Sequence, residues 1–211
     1  MNLHALARTC ATAALSVLTA ISAHAEDFTF SGDVVYNTDI VRVTFGVNTD
    51  ATNVRVWTDS FLSGVNYDPI TALWHRVGND YVLIGQNDDN ASIVPATQTY
   101  YDSGFVVPSL AAGEYMFTVG AYPNFAYGTL LSEGFQFEHD NTAQVAIAEW
   151  CQPASNNCTN QKGTFWRVNL SGVDTAAPPP VVSAIPEPET YALMLAGLAA
   201  IGWVGRRRRA A

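Results

Sequence analysis

Alternation of apolar and polar side chains with a period of two dominates the middle of the chain. Between Val41 and Val47 the odd positions are apolar, whereas the even positions are polar or glycine. This period is typical of a β-strand with one buried face. Similar patterns predict strands within 54–56, 81–84, 115–121, 135–137 and 166–170. Residues 141–150 have weak helical spacing and fit a strand equally well.

Clusters of turn-forming residues separate these predicted strands. Asparagine, aspartate, glycine, proline and alanine are concentrated at 48–50, 78–80, 86–90, 111–113 and 123–124. Many short strands with regular turns and no convincing helix predict an all-β domain, an antiparallel β-sandwich or jelly roll. We place this domain at residues 26–176.

Charge is distributed unevenly along the 211 residues, whose formal net charge is −9 at pH 7. Four of the ten basic residues form the run Arg206, Arg207, Arg208 and Arg209. Segment 26–185 instead has 17 acidic and five basic residues, a net charge of −12. Without a basic cluster, this segment is not expected to bind nucleic acid. Its acidity favours solubility and attracts divalent cations.

The first 25 residues have the order of parts found in a secretory signal peptide. His4 and Arg8 form a weakly basic start, residues 10–22 are apolar, and a small-x-small pattern ends at Ala25. These features predict a signal helix at 1–25, export by the general secretion machinery, and a mature chain that begins at Glu26.

The C-terminal end contains a second apolar segment. A proline-rich linker at 177–185 precedes Pro186, Glu187 and Pro188, and an apolar run follows at 191–205. As a helix the run is about 22 Å long, short of the roughly 30 Å hydrocarbon core of a bilayer. The four terminal arginines extend its reach by snorkelling and act as a stop-transfer signal on the cytoplasmic side. We therefore predict a transmembrane helix here.

Segment 186–211 resembles the PEP-CTERM sorting tail of bacterial exosortase substrates, through its Pro-Glu-Pro tripeptide, apolar helix and arginine cluster. The resemblance implies that an exosortase, a membrane enzyme with a cysteine nucleophile, recognises Pro186, Glu187 and Pro188 and removes the tail. The protein would be anchored in the inner membrane before processing, and afterwards lie at the cell surface or in an exopolysaccharide matrix or biofilm. A permanent C-terminal anchor is the alternative.

Two cysteines, Cys151 and Cys158, remain after signal removal. Outside the cytosol, an isolated pair around a short polar loop favours a disulfide. A metal site is the alternative, although no other cysteine and no nearby histidine completes a set of four ligands.

A second resemblance covers roughly residues 41–137 and concerns the pre-peptidase C-terminal type of β-sandwich in secreted bacterial proteins. It rests on an Asp-Pro turn before a Leu-Trp pair, an Asn-Asp-Asp-Asn turn and a Gly-Glu-Tyr strand start, at 68–69, 73–74, 87–90 and 113–115. The resemblance implies a non-catalytic accessory module, and some such modules bind Ca²⁺ or extracellular polymers.

Adjacent acidic residues in the 87–90 turn point to a cation site. Asp88 and Asp89 repel each other, and carboxylate oxygens are the ligands that Ca²⁺ prefers. Asp59 and Asp68 would join them if their strands neighbour this turn. No EF-hand spacing is present, and a solvated turn is the alternative that the sequence leaves open.

Catalysis is not expected. Beyond the signal segment, His75 and His139 are the only histidines, and no nucleophile elbow, zinc-protease motif or phosphate loop is found. We therefore predict a non-enzymatic protein.

Aromatic residues beside turns offer a rival function, a carbohydrate-binding module, because exposed rings stack on sugar faces. The alternative is that they fill the core, which we expect for Trp57, Trp74 and Trp166. The residues beside turns are Tyr67, Trp74, Tyr100, Tyr101, Tyr122, Phe125 and Tyr127.

Overall fold

The computed structural model describes residues 26–152 and 162–179, which form nine strands. The strands are β1 (Glu26–Asp33), β2 (Val41–Val47), β3 (Ala51–Thr58), β4 (Pro69–Val77), β5 (Asp80–Asn87), β6 (Gly104–Leu110), β7 (Gly113–Ala121), β8 (Phe165–Val173) and β9 (Thr175–Ala177). Helical structure in these residues is limited to the single turn α1 (Gln136–His139) and to 3₁₀ turns at Leu62–Gly64 and Leu131–Glu133. The predicted all-β class is therefore confirmed for this part of the chain.

The segments predicted to be a signal helix and a transmembrane helix lie outside the described residues. Among the helices that the structure does describe, none has the length and apolar character needed to cross a bilayer.

Two antiparallel sheets pack around one apolar core. The first has the strand order β1-β8-β3-β6 and the second β5-β4-β7-β2-β9. Val54 and Leu170 from the first sheet share a buried cluster with Phe45, Leu73 and Phe117 from the second. The fold is thus sandwich-like, with each sheet removing one apolar face of the other from water.

Strand β2 shows how the predicted alternation becomes structure. From Val41 to Val47 the odd positions are buried, whereas the even positions are half-exposed. The strand pairs with β7 along its whole length and with β9 on its other edge. All apolar side chains of β2 therefore lie on one face of the sheet, as the period of two requires.

Strands β4 and β7 are buried on both faces over residues 69–74 and 115–121, so the alternation predicted for 115–121 accounts for only one of the two buried faces of β7. Outside the main core, Trp74 and Met116 form a second buried cluster with Phe135, which belongs to the segment after β7. The indole Nε1–H of Trp74 donates to the Thr118 hydroxyl at 3.0 Å, which satisfies this polar group away from water.

The strand predicted at 135–137 is wrong. Phe135 makes one isolated bridge with Ala126, and the chain then turns into α1. Both Phe135 and Phe137 are nevertheless buried, because Asn124 Oδ1 accepts the backbone N–H of Phe137 and holds this turn against the sheet. An alternation that involves only two apolar residues is too short to distinguish a strand from a loop that packs against the sheet.

Short and long connections lie at opposite ends of the sandwich, because consecutive strands run in alternating directions. Turns at 48–50, 78–79 and 111–112 form one end, where the sequence predicted them. The connections 34–40, 59–68, 88–103 and the segment between β7 and β8 form the other, called the loop end here. A 2.7 Å hydrogen bond between the hydroxyls of Thr71 and Ser103 joins the two sheets at the loop end.

Truncation of a core side chain should cost a large part of the stability of a domain of this size. Phe117 is completely buried between the sheets, and Phe117→Ala is expected to lower the free energy of unfolding by about 3–5 kcal/mol. Val106→Ala, at a position that is 47% exposed on the edge strand β6, is the control and should change it by less than about 1 kcal/mol. Urea denaturation measures both, and equal losses would contradict the core assignment.

Candidate metal centre

Three carboxylates meet at the loop end. Asp68 lies immediately before β4, whereas Asp88 and Asp89 lie immediately after β5. Since β4 and β5 are antiparallel partners, with Thr71 opposite Asn87, the start of one strand lies beside the end of the other. Each of the three side chains offers an oxygen within 4.8 Å of the other two.

Asp68 is buried but incompletely hydrogen-bonded. Its exposed fraction is 3%. The Oδ2 atom accepts a hydrogen bond from Gln152 Nε2 at 3.3 Å, and the Asp68 backbone N–H donates to Gln152 Oε1 at 3.0 Å. The Oδ1 atom has no hydrogen-bond partner, and neither has the buried Oδ1 of Asp88. Two carboxylate oxygens are thus removed from water without compensation, which is costly unless a ligand is bound.

The environment of the centre raises the pKa of all three carboxyl groups and so disfavours their ionisation. Burial raises the pKa of Asp68 to about 8, with a further increase from Asp88 and Asp89, while Lys162 and the Gln152 hydrogen bond act in the opposite direction. The pKa of Asp88 is raised by burial, and that of Asp89 by burial and then by the charge of Asp88. A cation among the three oxygens would stabilise the charged forms.

Asp102 shows what a fully satisfied carboxylate looks like in the same region. It is completely buried, and its Oδ1 accepts hydrogen bonds from the Phe61 backbone N–H and the Thr58 hydroxyl. Its Oδ2 accepts from the backbone N–H and the hydroxyl of Thr99. Asp102 thereby ties connection 88–103 to the end of β3 and to connection 59–68. By comparison, Asp68 has one oxygen left for a ligand.

Connection 88–103 is held in place close to the three carboxylates. Gln98 Nε2 donates to the backbone carbonyls of Thr58 and Asn90, and the Asn90 backbone N–H donates to the carbonyl of Asp102. The side chain of Asn87 donates to the Gly104 carbonyl at 2.8 Å. Asp88 and Asp89 thus lie between two anchored residues, which reduces the entropy lost when a ligand orders them.

Asp59 does not join the other three predicted ligands. Its Oδ1 accepts a 2.6 Å hydrogen bond from Arg167 Nε, with which it forms an ion pair, and a 2.9 Å hydrogen bond from Asn169 Nδ2. Both partners lie on β8, in the opposite sheet from β4 and β5. The set of four predicted calcium ligands is therefore reduced to three, because Asp59 is already neutralised.

The centre suits a hard divalent cation. Its side-chain ligands are oxygen atoms only, and their total charge when ionised is −3. Exposure increases from buried Asp68 through half-buried Asp88 to exposed Asp89, so one side is open to water or to a further ligand. Calcium takes six to eight oxygen ligands in flexible geometry, which fits carboxylates supplemented by carbonyls and water.

The remaining predicted site residues lie, with the exception of Cys151, outside the described residues. Cys151 lies at the end of a described segment, directly before Gln152, whereas Cys158 lies outside the described residues, so the disulfide stays a prediction. Pro186, Glu187, Pro188 and the four terminal arginines also lie outside them.

The turn aromatics differ in exposure, and several of them pack against neighbouring rings. Tyr67 and Trp74 are buried in the core. Tyr100 is 58% exposed, but its ring is inclined by 70° to that of Tyr101. Tyr127, 43% exposed, stacks on His139 at 3.5 Å between ring centroids. Where two of these turn aromatics contact each other, as Tyr100 does Tyr101 and Tyr122 does Phe125, the rings meet edge to face. Sugar binding by these residues stays a prediction.

Asp68→Asn is expected to flatten the pH dependence of stability of the metal-free protein. The pKa of Asp68 in the folded state, about 8, lies above its ordinary value of 3.8. The folded chain therefore binds more protons between these values, and stability falls as the pH rises from about 4 to 8. Asparagine does not titrate, so the substitution removes the contribution of Asp68 to this pH dependence. Asp88 and Asp89, whose pKa values are also raised, still contribute a smaller loss of stability as the pH rises.

Urea denaturation in EDTA at pH 5 and pH 8 measures the difference. Wild type should lose more stability between the two pH values than Asp68→Asn, whereas Asp27→Asn, which changes an exposed acid on β1, should behave as wild type. The same loss in wild type and Asp68→Asn would contradict the assignment.

Comparison with known proteins identifies one segment of the chain. Residues 184–209 match the PEP-CTERM protein-sorting motif. This motif confirms the resemblance of the tail and implies a secreted protein that is sorted and processed by an exosortase. No curated protein matches the chain. The likeness of the central domain to the pre-peptidase C-terminal type of sandwich stays a prediction.

Proposed function

We propose that this protein is a non-enzymatic component of the cell surface or exopolysaccharide matrix, delivered by exosortase processing, whose β-sandwich binds a calcium ion at the loop end. The proposal of sorting by an exosortase is supported by the PEP-CTERM match at 184–209. The calcium site rests on one observation: Asp68, almost completely buried beside two further carboxylates, has an oxygen with no partner.

A non-catalytic role is supported by the positions of both histidines. The ring of His75 stacks on Tyr115 at 4.8 Å between centroids. His139 stacks on Tyr127 and contacts the Glu133 carbonyl through Nε2 at 2.8 Å. Each imidazole is therefore engaged in a structural contact.

The proposed location suits a calcium site of this kind. Extracellular calcium modules bind with Kd values of about 10⁻⁴–10⁻³ M, because calcium is abundant outside the cell. The loop end supplies three carboxylates on two anchored connections, fewer than a high-affinity site usually has. We expect affinity in that range, with the ion joining the start of β4 to the end of β5.

Loss of the tripeptide should block processing. In the producing cell, Pro186→Ala and Glu187→Ala are expected to keep the chain in the membrane fraction at its unprocessed mass, because the exosortase no longer recognises the tail. Glu149→Ala, which changes an exposed glutamate in the described domain, should be released like wild type. Fractionation followed by mass spectrometry measures both. Unchanged release of both tail variants would refute exosortase sorting while leaving the calcium proposal intact.

Calcium should stabilise the exported protein. At a free concentration of ten times Kd, binding adds about 1.4 kcal/mol, which corresponds to a rise in Tm of about 3–6 °C. Asp89→Asn should weaken binding about tenfold or more, since it removes the one exposed carboxylate of the centre. Asp27→Asn serves as the matched control and should bind as wild type. Calorimetry and thermal denaturation with and without EDTA measure these effects. The calcium site fails if wild type shows neither a heat of binding nor a shift in Tm.

A further inference from the structure

A separate groove opens at the loop end, beside β2. It has a volume of about 950 Å³ and is lined by residues of segments 33–42 and 138–144 together with the buried Trp166. None of the three proposed calcium ligands lines it. The volume lies within the range of about 300–1,000 Å³ that is usual for small-molecule sites.

Hydrogen bonds between its two walls preform the groove. Asn37 is completely buried, its Nδ2 donates to the Ala143 carbonyl at 3.2 Å, and its Oδ1 accepts from the Val145 backbone N–H at 2.8 Å. The backbone N–H of Asn37 also donates to the Val145 carbonyl, and that of Ile147 to the Val35 carbonyl. A ligand would therefore lose little free energy in ordering the walls.

The wall formed by segment 34–42 combines an aromatic face with fixed polar groups. The ring of Tyr36 is 40% exposed. Beside it, Asp39 Oδ2 accepts the backbone N–H groups of Val35 and Tyr36, both at 2.8 Å, which fixes this carboxylate. Arg42 supplies a guanidinium on the same wall. A ring that packs on apolar C–H groups, next to strong hydrogen-bond acceptors and donors, matches the chemistry of a pyranose sugar.

Arg42 is available to a ligand. Its contacts are a 3.5 Å hydrogen bond to the Ile40 carbonyl and a position 5.9 Å from the centroid of the Phe135 ring. Among the described residues, no carboxylate lies within 4.0 Å of its guanidinium, whereas Arg76 and Arg167 are both ion-paired. Its donors therefore remain for hydroxyl groups.

The charge of the groove selects against acidic ligands. Asp33, Asp39 and Glu138 line it against Arg42 alone, which gives a net charge of −2. The negative potential extends to the buried hydroxyl of Tyr67, whose pKa is raised by burial and further by Asp39 and Asp33. A polymer that carries carboxylates or phosphates would be repelled here.

We propose that this groove binds a short segment of a neutral polysaccharide, with one pyranose face on the Tyr36 ring and its hydroxyls hydrogen-bonded to Asp39 and Arg42. The proposal is independent of the calcium site and of tail processing. It gives an exported protein a direct attachment to a polymer matrix.

The chain leaves the described domain beside this groove. Strand β9 pairs antiparallel with β2, from Thr175 opposite Gly46 to Ala177 opposite Thr44, and so runs toward the loop end. Pro179, the last described residue, lines the groove. The rest of linker 177–185 is therefore the competing occupant that an experiment has to distinguish from a polysaccharide.

Native affinity electrophoresis of the exported protein provides the test. The gels contain hydroxyethylcellulose, mixed-linkage β-glucan, galactomannan or dextran, with alginate as the acidic comparison. At least one neutral polymer should retard wild type, and alginate should retard it less. Tyr36→Ala should weaken binding about tenfold or more, since it removes the stacking face. Tyr36→Phe should retain most of the binding, because it keeps the aromatic ring.

Tyr100→Ala is the matched control, because it changes another exposed tyrosine that does not line the groove. It should bind as wild type, and an unchanged Tm for Tyr36→Ala shows that the fold is intact. The proposal is overturned if none of the four neutral polymers retards wild type, the result expected if the linker fills the groove. It is also overturned if Tyr36→Ala binds as wild type, or if alginate is the polymer that binds best.

Discussion

The antiparallel register of two sheets packed on one apolar core is the constraint on which the other features depend. Because inward residues such as Phe45, Leu73 and Phe117 are buried from both sides, neither sheet can slip by one residue without exposing its apolar face. A fixed register also fixes which chain segments are neighbours. The three carboxylates and the groove wall between residues 34 and 42 both lie at the loop end for this reason, although they are far apart in sequence.

The candidate site differs from a cluster of surface carboxylates because it contains a buried carboxylate oxygen with no hydrogen-bond partner. Asp102 and Asp68 are both buried in neighbouring connections, yet the first has a partner for each oxygen and the second does not. A buried carboxylate oxygen without a partner destabilises the fold unless a proton or a cation compensates it. Export into a calcium-containing environment would supply the cation.

Local sequence predicted what depends on local patterns. The alternation in β2 and the turns at 48–50, 78–79 and 111–112 were readable, because period and turn chemistry involve adjacent residues. Asp88 and Asp89 were recognisable as a repelling pair. The pairing of Asp59 with Arg167, 108 positions away, was not readable, and neither were the roles of Asp102 and Gln152, because each depends on which connections the fold brings together. Phe135 and Phe137 were misassigned, since burial alone does not specify a strand.

Sorting and the proposed cation binding belong to different parts of the chain. The sorting motif lies at 184–209, whereas the three carboxylates lie in the β-sandwich. A crystal structure of the exported protein, grown in calcium, shows directly whether the three carboxylates hold a cation. We expect a cation peak at about 2.3–2.6 Å from Asp68 Oδ1 and from oxygens of Asp88 and Asp89. A site without a cation peak in saturating calcium, with Asp68 Oδ1 still unpartnered, would contradict the proposed calcium site.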